Sequence, residues 1–276
     1  MKKFITLALC GIITLSCVAQ KKPKIKGDKN VVDITESIDQ AFNAIEIDDA
    51  LEVDLLPASK PFYRLETDFN LSRILQFKVE DSVLKIYSDY KITSSKKLKI
   101  ELSASGIDAI TLKNDAKIES KRKLESKVMV LTANESSRFD LDIEADSIAV
   151  NITKNAGGKL NLMSEKTDIK MNGRTDLKVR NSSDNLVISI ADNGDLDIDG
   201  NSDTGKYNLT DGSQLKGKKL RVNKASINLS NNAYVEVFVA KDLEVYAKDK
   251  SKIELWGEPK INIKGLLGDA EIEKKD

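Results

Sequence analysis

Between Ile107 and Gly257 apolar residues alternate with polar ones in short runs, and each run stops at Asn, Asp, Gly, Ser or Lys. Four stretches between Leu186 and Gly257 show the unit: LVISIADNGDLDIDG, YNLTDGSQLKGKKL, SINLSNNAYVEVFV and LEVYAKDKSKIELWG. Each reads as a period-two strand, a polar turn and a second strand. The turns at Asn155, Asn172, Asn193, Asp211, Asn231 and Asp249 recur at intervals of 17, 21, 18, 20 and 18 along the chain. A recurrence of roughly 20 residues, in a unit that cannot bury its own apolar face, predicts units that stack on one another. The expected fold is all-β, a parallel β-helix or β-solenoid with rungs of about 20 residues. An antiparallel β-sandwich is the alternative, because strand, Asn-Gly turn and strand is also the local signal of a hairpin.

Ahead of the repeats, Phe42–Ile47 opens a first strand, and Leu51, Val53 and Leu55 form the next, ended by Pro57. Asp68 to Leu75 is the one helical turn, with Asp68 or Asn70 as its cap. Phe77 and Val79, then Leu84 and Ile86, then Leu98, Ile100 and Leu102 return to alternation. No segment keeps a sustained helical period, which excludes the α/β and all-α classes.

The N-terminus has a different character. Lys2 and Lys3 precede an apolar run from Phe4 to Leu15, followed by small residues at Ser16, Cys17 and Ala19. This is the layout of a secretory signal, and the run is shorter than the roughly 20 residues a spanning helix needs. Cleavage after Ala19 gives an ordinary exported chain. Leu15-Ser16-Cys17 also resembles a lipobox, although Thr14 stands where Leu is usual, and makes Cys17 the candidate lipidation site. The expected divisions are a signal peptide at 1–19, a basic linker at 20–40, a repeat domain at 41–265 and a C-terminal tail at 266–276.

Composition narrows the chemistry. Lys plus Arg and Asp plus Glu both number 44, so no net field points to nucleic acid as a partner. Membrane contact is expected only through an N-terminal lipid anchor. There is no His, and the two cysteines are Cys10 and Cys17. The repeat region therefore lacks a thiolate nucleophile, a disulfide and the commonest general base and metal ligands. No catalytic residue and no cofactor is expected. Asp195, Asp197 and Asp199 precede Gly200 as in the start of a calcium loop, but Lys206 occupies the place of the closing Glu. They are the candidate metal ligands, against a solvated strand face. Asp140 and Asp142 share one strand face, but carboxylates occur in every repeat and none forms a distinctive catalytic pair. Ser82 and Ser147, each in an Asp-Ser-aliphatic triplet, are candidate O-glycosylation sites.

Trp256-Gly257-Glu258-Pro259, closing the last repeat, resembles the end of the putative auto-transporter adhesin, head GIN domain family. Phe42-Asn-Ala-Ile-Glu-Ile, Asp68-Phe-Asn-Leu and Asp81-Ser-Val-Leu-Lys-Ile are similar to its opening, so the likeness spans roughly residues 40 to 265. The resemblance implies an exported bacterial protein, common in Bacteroidetes, with a right-handed β-helical body, and brings no catalytic residues. The Gly-Ala-Gly turns usual in that family are largely replaced here by Asn, Asp, Ser and Lys. The expected function is a non-catalytic binding, adhesion-type or structural module with an envelope, glycan or protein ligand, in the periplasm or at the cell surface. A polysaccharide-active β-helix enzyme and a periplasmic scaffold or partner protein are the alternatives.

Overall fold

The computed structural model describes residues 22–276. From residue 109 onward every strand pairing is parallel. The strands Arg138–Thr153, Gly157–Asn172, Asp176–Ala191, Asp195–Leu209, Gln214–Leu229 and Tyr234–Asp249 lie side by side in sequence order. The protein is a β-solenoid of about nine turns. The two strands of each sequence unit do not pair with each other. Leu186 pairs with Thr167 before it and Gly205 after it. That pairing excludes the hairpin arrangement, and with it the sandwich.

The rung length follows from the register. Arg138, Gly157, Asp176, Asp195 and Gln214 are successive partners at a constant interval of 19. Each rung has two legs. In the rung at Asp176–Ala191, the first leg turns Leu177, Val179, Asn181 and Ser183 inward, and the second turns in Leu186, Ile188 and Ile190. The inward phase slips at the exposed pair Asp184-Asn185, which marks the corner between the legs. The second corner is the polar turn, whose left-handed backbone at Asn114, Asn193, Asp211, Asn231 and Asp249 is reached readily by Asn and Asp. Just after that turn a column of small residues, including Ala116, Ser137, Ala156, Thr175, Ser213, Ala233 and Ser251, is almost wholly buried. Small side chains let the chain reverse close to the axis.

The core consists of these stacked columns. One runs Ile45, Ile110, Leu131, Val150, Ile169, Ile188, Tyr207, Ile227 and Val245. Tyr207 is the largest fully buried side chain, and its ring fills the space beside Gly205, where an added Cβ would sit 2.4 Å from the hydroxyl. Among the described residues its hydroxyl has no hydrogen-bond partner, and burial pushes its pKa up.

The described residues up to Ser103 are wound differently. The rung formed by Val83–Ser88 and Leu98–Ser103 lies outside the rung formed by Ala44–Ile47 and Glu52–Leu56, although it follows in sequence. Phe62–Asp68 then adds antiparallel to Leu98–Ser103, Val31–Ser37 adds antiparallel to Phe62–Asp68, and Leu75–Glu80 adds antiparallel to Val83–Ser88. The short helix Phe69–Ser72 links Phe62–Asp68 to Leu75–Glu80 and buries Leu71. Asp68 is its N-cap residue but makes no side-chain cap bond, and its carboxylate instead accepts from the Lys96 N–H at 2.9 Å. Asn70 holds the incoming chain, donating to the Lys26 carbonyl at 2.7 Å and accepting from the Asp28 N–H at 3.0 Å.

Strands also lie on either side of the stretch 41–259. Lys24–Lys26 and Val31–Ser37 are strands within the stretch expected as a linker. Val31, Val32 and Ile34 gain partners only in the assembled cap, which the local lysine-rich composition hides. At the other end, Lys260–Gly268 and Glu271–Lys274 form a final rung across the expected tail.

Candidate functional site

The corner between the two legs carries the most unusual surface of the described chain. Ser126, Ala145, Ser164, Ser183 and Ser202 stack there as register partners. Their hydroxyls are satisfied locally: Ser183 meets Ser202 at 3.3 Å, Ser164 meets Thr167 at 2.7 Å, and Ser126 donates to Asp108 at 2.6 Å. The next residue in four successive rungs is acidic: Asp146, Glu165, Asp184 and Asp203, all exposed. Parallel neighbours are about 4.8 Å apart, so the four carboxylates form a line of about 14 Å along the solenoid.

None of the four forms an ion pair among the described residues, and Asp203 alone accepts a side-chain hydrogen bond, from Asn223 at 3.0 Å. Like charges stacked across strands oppose pairing, so the column weakens the fold rather than helping it. Elsewhere many carboxylates are paired with a lysine or arginine. Lys123 reaches Glu144 at 2.7 Å, and that hydrogen bond holds the ammonium above its usual pKa. The recess along the corner encloses about 400 Å³, with Glu125, Glu144 and the half-exposed Met163 on its walls. Chemically, this edge offers repeated acceptors and hydroxyls to a ligand with its own repeat.

Asp195, Asp197 and Asp199 alternate along the outer face of their strand, with Leu196 and Ile198 turned into the core. Asp195 binds Lys216 at 2.6 Å and Asp199 binds Arg180 at 3.0 Å, so two of the three carboxylates already have cationic partners on adjacent rungs. The Lys216 ammonium is held above its usual pKa, chiefly by the hydrogen bond it donates to Asp195. Among the described residues, no three His, Cys, Asp or Glu side chains converge in a way that could hold a metal ion. Asp140 and Asp142 also face outward, and Asp142 accepts from Asn161 at 3.1 Å.

Ser82 lies at an exposed left-handed turn position, and Ser147 lies half-exposed at the serine corner beside Asp146. Cys17 lies outside the described residues. A larger recess of about 780 Å³ opens near Lys22, Lys24, Tyr90, Lys91, Ile92 and Leu98, where the described chain begins. Among the described residues, no helix is long and apolar enough to cross a membrane.

The acidic column escaped the sequence reading, which measured spacing from turn to turn. Turns vary in length, so those intervals scatter around the true rung. Asp146, Glu165, Asp184 and Asp203 recur at a constant interval of 19, a signal that register would have exposed.

The described solenoid is similar to several solved crystal structures. A putative adhesin from Parabacteroides merdae shares 18% identity at a TM-score of 0.71, covering 92% of this chain and all of that one. A putative adhesin from Parabacteroides distasonis gives 18% and 0.69 over 91% of this chain and all of that one. A putative lipid binding protein from the same species gives 18% and 0.66 over 92% of this chain and all of that one. These likenesses support the fold. Among curated proteins, no sequence matches. The pattern described as "Putative auto-transporter adhesin, head GIN domain" matches twice, over residues 41–162 and 154–259. By those two matches, which together take in nearly the whole solenoid, the chain belongs to the putative auto-transporter adhesin, head GIN domain family.

Proposed function

We propose that this chain is an exported, non-catalytic binding module of the bacterial cell envelope, which displays its rungs at the cell surface and holds its ligand by repeated weak contacts. The observation that carries this reading is the outward face. Polar and charged side chains recur there rung by rung, and the recesses among them stay shallow. Such a face suits multivalent contact, in which many weak interactions at fixed spacing add up. The serine and acid corner is the stretch proposed to meet the ligand, because its charge is not neutralised within the fold. A glycan or envelope polymer with a regular repeat, or a protein with an extended basic segment, has the matching form.

The competing activity is polysaccharide cleavage. Full-length protein on beads, mixed with purified envelope and host-matrix polysaccharides, separates the two. Retention of a polymer that grows faster than linearly with bead density, without new reducing ends, is the expected outcome. Reducing ends released faster than by heat-denatured protein would reject the reading in favour of an enzyme.

A further inference from the structure

Immediately before the corner between the legs, each rung turns one side chain outward. In successive rungs these are Ser182, Asn201, Arg221, Phe238 and Trp256, which are register partners. Arg221 lies over the Phe238 ring, 4.7 Å from its centroid, and Lys218 lies over the Trp256 ring at 4.6 Å. A bulge puts Lys218 there. Gly217 pairs with Val237 and Arg221 with Phe238, so Lys218, Lys219 and Leu220 fall between successive partners. Bulges re-aim side chains and are frequent beside functional sites. On the same strand Lys216 and Lys224 are paired with Asp195 and Asp242, whereas Lys218, Lys219 and Arg221 have no ion-pair partner among the described residues. The column therefore ends in two outward aromatic rings with a cation over each, and that charge is not neutralised within the fold.

Given the reading of this chain as a binding module, we propose that the column is a glycan track with a defined direction. An acidic sugar binds at Lys218, Arg221, Phe238 and Trp256, and neutral sugars run on over Asn201 and Ser182. The C–H face of a sugar ring carries slight positive charge and packs on the negative face of an aromatic ring. Its carboxylate or sulfate takes charge-assisted hydrogen bonds from the ammonium and the guanidinium. Further along, Asn201 and Ser182 line a shallow recess of about 250 Å³, where amide and hydroxyl groups match sugar hydroxyls. Ser182 and Trp256 are four rungs apart, about 19 Å, which is room for a short oligosaccharide. Charge then limits the ligand. Asp184 and Asp203 lie one outward position beyond Ser182 and Asn201, both exposed. They repel a polymer with an anion on every unit, a nucleic acid or a polyuronate alike. The matching ligand is a glycan whose acidic sugar is followed by several neutral ones.

Immobilised oligosaccharides in matched sets, carrying no acidic sugar, one, or one on every unit, test the proposal with the full chain. The expected result is retention of the singly charged members about fivefold or more above their neutral and fully charged counterparts. Trp256→Ala combined with Phe238→Ala lowers retention by about tenfold or more, the scale of losing two anchors. Lys206→Ala, exposed on the other leg, leaves it unchanged. Lys218→Ala combined with Arg221→Ala removes the preference for the charged member and keeps neutral binding, a loss of selectivity that misfolding cannot imitate. Retention that survives both double variants overturns this site and leaves the binding-module reading standing. So does stronger retention of the neutral members, the fully charged members or an acidic peptide. If no oligosaccharide is retained while envelope polymers still bind to protein-coated beads, the site alone is rejected. If neither is retained, the binding reading falls with it.

Discussion

The rungs from Arg138 to Asp249 and the cap from Lys24 to Ser103 are built from the same alternating strands, yet they are assembled by different rules. In the rungs each residue meets its counterpart one rung earlier, so every contact is made with the neighbour just formed. In the cap, Ile34 meets Leu65, Val53 meets Ile100, and Ile118 meets Val53 across a long intervening stretch of chain. The rungs can grow by addition, whereas the cap must close long loops before any contact rewards them. The cap also ends the stack on antiparallel strands rather than on an open parallel edge. A repeated unit extends easily but cannot end itself, so the chain uses an irregular segment to close one end.

This contrast can be tested at named residues. In the rungs, Tyr207→Ala removes the largest fully buried side chain and leaves a void that Gly205 cannot fill. A loss of about 3–5 kcal/mol is expected by chemical denaturation, with hydrogen exchange rising most in the neighbouring rungs. In the cap, Leu71→Ala is expected to cost about 2–5 kcal/mol and to open Val31–Ser37 and Phe62–Asp68 together while the rungs beyond Arg138 keep their protection. Uniform loss along the chain would show that cap and rungs form one cooperative unit.

A smaller effect is expected at the turns. Asn231 has a left-handed backbone with φ of 60°, and Asn231→Val places a β-branched residue there, at a cost of about 1–2 kcal/mol. Asn231→Gly should be close to neutral, which separates backbone strain from the side-chain bond that Asn231 donates to Asp211.

The smallest effect concerns pH. Hydrogen bonding to Arg64 holds the Asp33 carboxyl below its usual pKa of 3.8. A depressed carboxylate contributes stability that is complete above the unfolded value and is lost as pH falls through the folded one. Exchange of Val31–Ser37 should therefore rise below about pH 4 in the native chain and lose that dependence in Asp33→Asn, while Gln214–Leu229 shows neither change.

Much of the rung region was legible because its signals are local. Alternation showed which side chains face inward, and the Asn and Asp turns fell at or beside left-handed positions such as Asn193, Asp211 and Asn231. Choosing stack over hairpin needed the register, since Leu186 and Leu196 look alike whether their strands pair with each other or with the rungs on either side. The cap stayed hidden for the same reason. Val31, Val32 and Ile34 sit among lysines and polar residues, and only the distant Phe62–Asp68 makes them a strand. The segment EIEKKD reads as a solvated tail until Ile272 is seen stacked on Ile253. The acidic corner became visible only once Asp146, Glu165, Asp184 and Asp203 were aligned by rung.

The central claim, that the ladders of this solenoid face outward from the cell to meet a ligand, is most directly tested by protease treatment of intact cells. An antibody against the rungs around Tyr234–Asp249 gives the readout, and lysed cells show that the folded chain can be cut. Loss of signal from intact cells is the predicted result. Protection until lysis would place the module inside the envelope and contradict it.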